Sequence, residues 1–295
     1  MSTAAPVVGS ASLARIEWEA VSLAHSARAD ELTAAHRFRA SRGQKHPVED
    51  FLFTYYSYKP ALLRRWHPGA GVVLDDAPER ADWRWYRAAG HAGVELDVSA
   101  FLADRGRVVD AVTRVLRATA SRPAVFGCFG LHEWAMVYRD PAPRHDVPLR
   151  LSADATDAVV EASDLRCTHF DAFRFFTPEA VPRNREPLSR ELQVEREQPG
   201  CLHAGMDLYK WAVKLAPAIP GELLLDSFEL ARDIRTLDMQ ASPYDLHDWG
   251  YDPVAIETPE GKAEYVRRQR GFAARATTVR ERLLAVLEGD ALHSA

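Results

Sequence analysis

The sequence is poor in lysine and cysteine, and it has no long apolar run. Only five of its 37 basic residues are lysine, so arginine carries most of the positive charge. The three cysteines, Cys128, Cys167 and Cys201, are widely spaced and form no CxxC pair. This spacing argues against a disulfide framework or a structural zinc site, and it fits a reducing, cytoplasmic setting. No run approaches 18 apolar residues, so we expect no membrane span and no membrane partner.

The signatures of several well-known enzyme classes are also absent. The chain has no GxGxxG that opens a strand-helix unit, no GxxxxGK[ST], no GxSxG and no HExxH, because position 136 is Met. The sequence therefore disfavours nucleotide-dependent transfer, α/β-hydrolase chemistry and zincin-type proteolysis as functions. A net charge of −5 gives no general attraction to polyanions. We expect any affinity for nucleic acid to be weak and salt-sensitive, and no obligate protein partner is evident.

Helical periodicity is the main structural signal in this chain of 295 residues. We expect a flexible tail over residues 1–12 and one domain over residues 13–295, mainly α-helical with a few short β-strands. Helices are predicted over residues 13–42, 51–66, 99–119, 126–138, 154–162, 203–215, 221–237 and 258–287. Strands are predicted over residues 71–74, 83–87, 149–151 and 165–169. Residues 177–200, which contain four prolines, are predicted to form a long loop.

Three central segments place a histidine beside a carboxylate and several aromatic residues. Packed cores seldom need this mixture, because a buried charge is costly unless it is paired. The first segment contains His132, Glu133 and Trp134. Neighbouring helical residues point about 100° apart, so His132 and Glu133 do not both face one pocket. Two interpretations of His132 and Glu133 stay open. They form a pair on the helix surface or in the core, or one of them is a buried general base or metal ligand.

The second segment contains His169 and Asp171, followed by Phe173 and Arg174. On a strand, residues two apart face the same side, so His169 and Asp171 would form a hydrogen-bonded pair or two metal ligands. Phe173 would add a stacking surface and Arg174 a fixed cation. The plainer alternative is that Arg174 pairs with Asp171 and that the phenylalanines belong to the core.

The third segment contains His203, Asp207 and Lys210, whose spacing places them on one helical face. Tyr209 and Trp211 flank this polar stripe, which borders either solvent or a pocket. Because neighbouring residues are mostly apolar, the pocket is the favoured reading. We therefore predict that His169, Asp171 and His203 line one pocket.

Several stretches resemble actinobacterial proteins labelled 3-methyladenine DNA glycosylase, and the resemblance covers nearly the whole chain. It rests on residues 198–212, which include Gly200-Cys201-Leu202-His203-Ala204, and on residues 46–53, 167–177 and 238–246. The best-known alkylbase glycosylases use a helix-hairpin-helix with a Gly-x-Gly turn and a later aspartate. Here Pro220-Gly221-Glu222-Leu223 lacks the second glycine, while Asp238 falls near the spacing of that aspartate.

The resemblance implies an N-glycosylase-like hydrolase that removes an alkylated purine from damaged DNA or from a free modified nucleoside, with no cofactor. Such an enzyme stacks the base between aromatic rings and stabilises the developing sugar cation with a carboxylate. The candidate carboxylates are Asp238, Asp171 and Glu133. The candidate substrate-binding residues are His132, Trp134, His169, Phe173, Arg174, His203, Asp207, Tyr209, Trp211 and Tyr244.

Two other functions stay open at the level of the sequence. The first is a metal-dependent enzyme of small-molecule metabolism, in which His132, His169, Asp171 and His203 bind a transition metal through nitrogen and oxygen atoms. The second is a ligand-binding protein without catalysis. Metal content separates the first of these from a metal-free glycosylase.

Overall fold

A computed structural model describes residues 11–90, 92–141 and 147–293. The fold is mainly α-helical with one small sheet, which confirms the predicted fold class. The helices are α1 (Arg15–Ala40), α2 (Phe51–Tyr55), α3 (Pro60–Leu63), α4 (Val98–Ala120), α5 (Leu131–Ala135), α6 (Ala153–Glu161), α7 (Phe170–Phe173), α8 (Gln193–Arg196), α9 (Leu202–Leu215), α10 (Gly221–Gln240), α11 (Pro259–Glu288) and α12 (Asp290–His293). None of the helices among the described residues is both long and apolar enough to cross a membrane.

The sheet contains four short strands in the order β1-β2-β4-β3. They are β1 (Ala11–Leu13), β2 (Val72–Leu74), β3 (Tyr86–Ala89) and β4 (Gly93–Leu96). β1 pairs parallel to β2, with Ser12 opposite Val73, and the other pairings are antiparallel. The predicted tail is therefore wrong for residues 11–12, because backbone pairing and a hydrogen bond from Ser12 Oγ to Asp75 hold them. Residues 1–10 of that tail lie outside the described residues.

The predicted helix over residues 51–66 is divided into α2 and α3. Ser57 has a φ of 54°, in the left-handed region, and Lys59 is extended before Pro60. A residue that precedes proline is disfavoured in the helical region, so the break follows from the sequence Lys59-Pro60. As a result, Phe51 and Tyr55 begin and end a helix of five residues, Tyr56 follows it, and the three rings can face one cavity.

The predicted helix over residues 126–138 is shortened to α5. Phe129 and Gly130 both have positive φ, of 50° and 74°, and they turn the chain just before the helix begins. A Cβ atom at Gly130 would lie 3.1 Å from the Cβ of Ala241, so a larger side chain would crowd this turn. The predicted strands over residues 149–151 and 165–169 are reduced to single bridges, Leu149 to Tyr244 and Leu165 to Asn184.

Helices α9 and α10 pack closely against each other and form the centre of the fold. At Gly205 a Cβ atom would lie only 2.9 Å from Ile234 Cδ1, so the missing side chain lets the two helices approach. Helices α4 and α11 pack against α9, and the main hydrophobic core extends from Trp18 to Leu292. The close contact fixes the polar residues of α9 beside those of α10.

His67 is a polar link between the sheet and the helical part of the chain. Its Nδ1 atom is 2.8 Å from Tyr86 Oη, and its carbonyl oxygen accepts a hydrogen bond from the backbone N–H of Gly221. Burial, together with the nearby charge of Arg80, lowers the pKa of His67 to about 3. The imidazole is therefore neutral in the folded protein at neutral pH.

We predict that His67→Gln makes stability less dependent on pH between about 6.5 and 3. In this range the unfolded chain binds a proton at His67 that the folded protein does not, so the free energy of unfolding falls as the pH falls. At pH 5 this proton uptake lowers the free energy of unfolding of the unmodified protein by about 2 kcal/mol, and at pH 7 it has almost no effect. Urea unfolding at pH 7 and pH 5 measures it. The exposed His247→Gln should keep the slope of the unmodified protein, and equal slopes in all three proteins would contradict the prediction.

Candidate functional site

A cavity of about 220 Å³ lies between α2, α5, α7, α9 and α10. Its apolar lining consists of aromatic rings, methionines and one alanine, namely Phe51, Tyr55, Tyr56, Met136, Ala172, Phe175 and Met206. Its polar lining consists of Glu133, His169, Asp171, His203, Asp207 and Arg235. The structure thus brings His169, Asp171 and His203 to one cavity, as the sequence predicts. Flat rings beside a few convergent polar groups are typical of a small-molecule site.

His132 and Asp238 form a buried pair beneath this cavity. His132 Nε2, on α5, is 2.8 Å from Asp238 Oδ1, on α10. Both side chains are almost completely buried, and Asp238 has no exposed surface at all. The other ring nitrogen of His132 is 3.4 Å from Cys128 Sγ. His132 is therefore held from both sides, and Asp238 does not line the cavity as a free carboxylate.

Arg235 joins this pair to Glu133. Its Nη1 atom donates to Asp238 Oδ2 and to Glu133 Oε1, each at 3.0 Å. The guanidinium also lies over the ring of Phe51, at 4.1 Å from the ring centre. The residue is only 3% exposed, so its charge must be compensated within the protein, and the two carboxylates supply that compensation.

His169 forms a second buried pair, with Asp207. His169 Nε2 is 3.2 Å from Asp207 Oδ2 and 3.7 Å from Glu197 Oε2. Tyr56 Oη donates to the other oxygen of Asp207 at 3.2 Å, and Lys210 also pairs with Asp207. The strand predicted here is wrong, because His169 instead precedes the short helix α7. The pairing partner of His169 is Asp207 and not the neighbouring Asp171.

His203 lies between the two buried pairs. Its ring centre is 4.5 Å from that of His132 and 5.4 Å from that of His169. One ligand atom from each of His132, His203 and Asp238 lies within 4.8 Å of the others. His203 also lines the cavity, so this group of three connects the buried pair to the space that a ligand would occupy. Two imidazoles and one carboxylate are a donor set that binds iron, manganese or zinc.

The charges of these side chains depend on one another. Burial alone would lower the pKa of His132 and raise that of Asp238, but their mutual attraction reverses both shifts. His132 is thus held protonated and Asp238 ionised. Burial and the charge of His132 lower the pKa of His203 to about 3, so His203 is neutral. Burial raises the pKa of Glu133 despite the opposing charge of Arg235.

Asp171 is surrounded by cations at the edge of the cavity. Its Oδ1 atom is 3.1 Å from Arg190 Nη2 and 3.3 Å from Arg174 Nε, and its Oδ2 atom accepts from Lys210 Nζ at 3.1 Å. Burial would raise the pKa of Asp171, but Lys210 lowers it below its usual value. The alternative in which Arg174 pairs with Asp171 therefore describes the contact that the structure shows. A catalytic role for Asp171 would require it to act while three cations bind it.

The five aromatic residues that the sequence predicts to bind the substrate lie outside the cavity lining. Trp134 is completely buried and donates from Nε1 to the carbonyl of Ala241, while Tyr209 packs between Tyr56 and Phe228. Their neighbours in the core hold both rings away from the ligand space. The other three are buried in the hydrophobic core, and they are Phe173, Trp211 and Tyr244.

The aromatic lining comes mostly from residues outside the set that the sequence predicts to bind the substrate. Phe51, Tyr55, Tyr56 and Phe175 supply it, and Arg235 supplies the central cation. The several aromatic residues between Phe51 and Tyr58 indicated a possible binding surface. The long helix predicted there, however, did not indicate that their rings line a cavity. Arg235 lies three residues before Asp238 on α10, so their pairing across one helical turn was within reach of the sequence.

Neither models of known protein families, nor curated proteins, nor solved structures match this chain. The resemblance to glycosylase-labelled proteins thus stays a prediction.

We predict that Asp238→Asn destabilises the protein by about 3 kcal/mol, because it leaves the buried charges of Arg235 and His132 without their carboxylate. Asp226→Asn is the matched control, since Asp226 pairs with Arg28 and Arg282 but is 30% exposed. That change should cost less than about 1 kcal/mol. Denaturant unfolding measures both values. Similar losses of stability in the two variants would contradict the prediction, because the burial of Asp238 would then not increase the cost of removing its charge.

Proposed function

We propose that the cavity is a metal-dependent catalytic centre for a small, flat organic substrate. The observation that carries this proposal is the group formed by His132, His203 and Asp238, whose ligand atoms lie within 4.8 Å of one another beneath an aromatic cavity. The proposed ligand set differs from the one expected from the sequence. His169 and Asp171 are bound by Asp207 and by cations, so Asp238 replaces them.

The side chains around the proposed ligands would hold them in place. Arg235 donates to Asp238 Oδ2, which fixes the carboxylate, and Cys128 lies against the outer nitrogen of His132. Outer contacts of this kind orient metal ligands and strengthen metal binding. A metal bound here would polarise a substrate oxygen or activate water. The rings of Phe51, Tyr55 and Phe175 would hold a flat substrate above the ligands.

We expect the purified protein to bind one equivalent of a transition metal, and His203→Gln to weaken that binding by about 100-fold or more. This estimate follows because the loss of an outer contact alone typically costs roughly 10–100-fold in metal affinity. His67→Gln is the matched control, since it removes a half-buried histidine outside the group. Titration with Zn²⁺, Mn²⁺ and Fe²⁺, followed by elemental analysis, gives the affinity and the stoichiometry.

His169→Gln separates this ligand set from the one expected from the sequence. If His132, His203 and Asp238 bind the metal, this variant should retain the metal with an affinity within about threefold of the unmodified protein, since roughly 10-fold is the smallest loss expected for an outer contact. Loss of metal from His169→Gln and not from Asp238→Asn would overturn the proposed set. Thermal melting of each variant shows whether it is folded under the conditions of the titration.

A second candidate is an N-glycosylase-like hydrolase that acts on an alkylated purine. The observation that favours it is that aromatic rings line the same cavity as the carboxylate of Glu133, a combination that suits a cationic, flat base. Because the cavity is small and the net charge is −5, a free modified nucleoside fits better than intact damaged DNA. The free thiols of Cys128, Cys167 and Cys201 support a reducing, cytoplasmic setting for either function.

Release of free base from 3-methyladenosine or 7-methylguanosine, followed by chromatography, tests the glycosylase candidate. We expect Glu133→Gln to slow release by about 100-fold if Glu133 stabilises the sugar cation. Release that persists in a strong chelator would favour the glycosylase and count against a catalytic metal. No release from either nucleoside by metal-loaded or metal-free protein would remove the glycosylase candidate.

A further inference from the structure

At the edge of the cavity, more positive charges surround Asp171 than its single carboxylate can balance. Arg174, Arg190 and Lys210 all contact Asp171, and Lys214 follows Lys210 by one helical turn on α9. We call these four residues the cationic collar. Asp171 and Asp207 are the carboxylates that contact it, which leaves two positive charges. Glu191, next to Arg190 in sequence, and Glu197, 3.7 Å from His169, can be counted as well. The imidazole of His169, whose pKa Asp207 raises against the effect of burial, then belongs to the same count, and five cations face four carboxylates.

The collar lies on the solvent side of the cavity. The side chains of Arg174 and Arg190 are 41% and 61% exposed, while Asp171 between them is only 9% exposed and lines the cavity. Arg174 Nη2 also reaches the hydroxyl of Tyr55, another lining residue, at 3.4 Å. A ligand whose flat part lies among the rings would therefore extend any outer group toward these two guanidinium groups.

Trp211 lies beside the two lysines of the collar. Lys210 Nζ lies 4.3 Å and Lys214 Nζ 5.3 Å from the centre of its ring. The indole Nε1 atom is buried and has no hydrogen-bond partner among the described residues. Exposed arginines recognise phosphate and carboxylate through paired N–H donors.

We propose that the cationic collar binds an anionic group, a phosphate or a carboxylate, at the outer end of the substrate. The substrate class is then a flat ring that enters the cavity and carries one anion on the side away from His203. This inference rests on the proposed use of the cavity as the substrate site, but it does not require a metal. The charge surplus and the exposure of both arginines point to the same ligand chemistry.

Calorimetric titration with phenyl phosphate, benzoate and phenol tests the proposal on the full chain, after a chelator has removed any metal and has itself been dialysed away, so that neither a metal nor a carboxylate chelator competes. Phenyl phosphate or benzoate should bind at least about tenfold more tightly than phenol, because charge-assisted hydrogen bonds to arginine add to ring stacking. The better of the two anions identifies the group as phosphate or carboxylate. The double variant Arg174→Gln/Arg190→Gln should lose about tenfold in affinity for that anion and little for phenol.

Arg267→Gln is the matched control, because Arg267 is 71% exposed and pairs with a carboxylate away from the cavity. It should bind the anion as the unmodified protein does. Equal affinity for phenol and for both anions, or an unchanged affinity in the double variant, would overturn the proposal. An equal loss in Arg267→Gln would overturn it as well, since net charge alone would then explain the effect. Metal titration of the same preparations reports separately on His132, His203 and Asp238, so the two proposals fail independently.

Discussion

The site depends on the cost of burying the Asp238 carboxylate. An ionised carboxylate without water is unfavourable by several kcal/mol unless cations and hydrogen bonds compensate it. Arg235, one turn earlier on α10, supplies one cation, and His132 on α5 supplies the other. Because Arg235 also binds Glu133, the short helix α5 is tied to α10 at two successive residues. The position of α5 therefore follows from charge compensation as well as from apolar packing.

The close approach of α9 to α10 completes the arrangement. Gly205 allows it, and the two flanking polar residues, His203 and Asp207, are thereby placed at the boundary of the cavity. His203 meets His132, while Asp207 pairs with His169. Substitution of Gly205 by a larger residue would separate the helices and move both side chains. One packing contact thus positions two polar groups whose partners come from two different parts of the chain, His132 on α5 and His169 at the start of α7.

The sequence predicted the long helices well, because α4, α9, α10 and α11 carry an apolar face that repeats locally. The grouping within the site was harder to predict. His132 and Asp238 are separated by 106 residues, and no local pattern indicates that they meet. The expected pairing of His169 with Asp171 failed for a local reason, since residues 170–173 form a helical turn rather than a strand. The polar stripe of His203 and Asp207 was predicted correctly because helical spacing alone decides it.

The ionic partners in the cavity bear on which chemistry the site can perform. A glycosylase needs a carboxylate that is free to stabilise positive charge on a sugar, yet Glu133 is bound to Arg235, Asp171 to three cations, and Asp207 to Lys210. Each would have to exchange a fixed partner for the substrate, which reduces the gain in transition-state stabilisation. A metal would take the place of the proton that lies between His132 and Asp238, so both side chains would stay compensated while that proton is released, and His203 faces the cavity as the third ligand. The ionic contacts that count against a glycosylase reaction are thus compatible with a metal-dependent one.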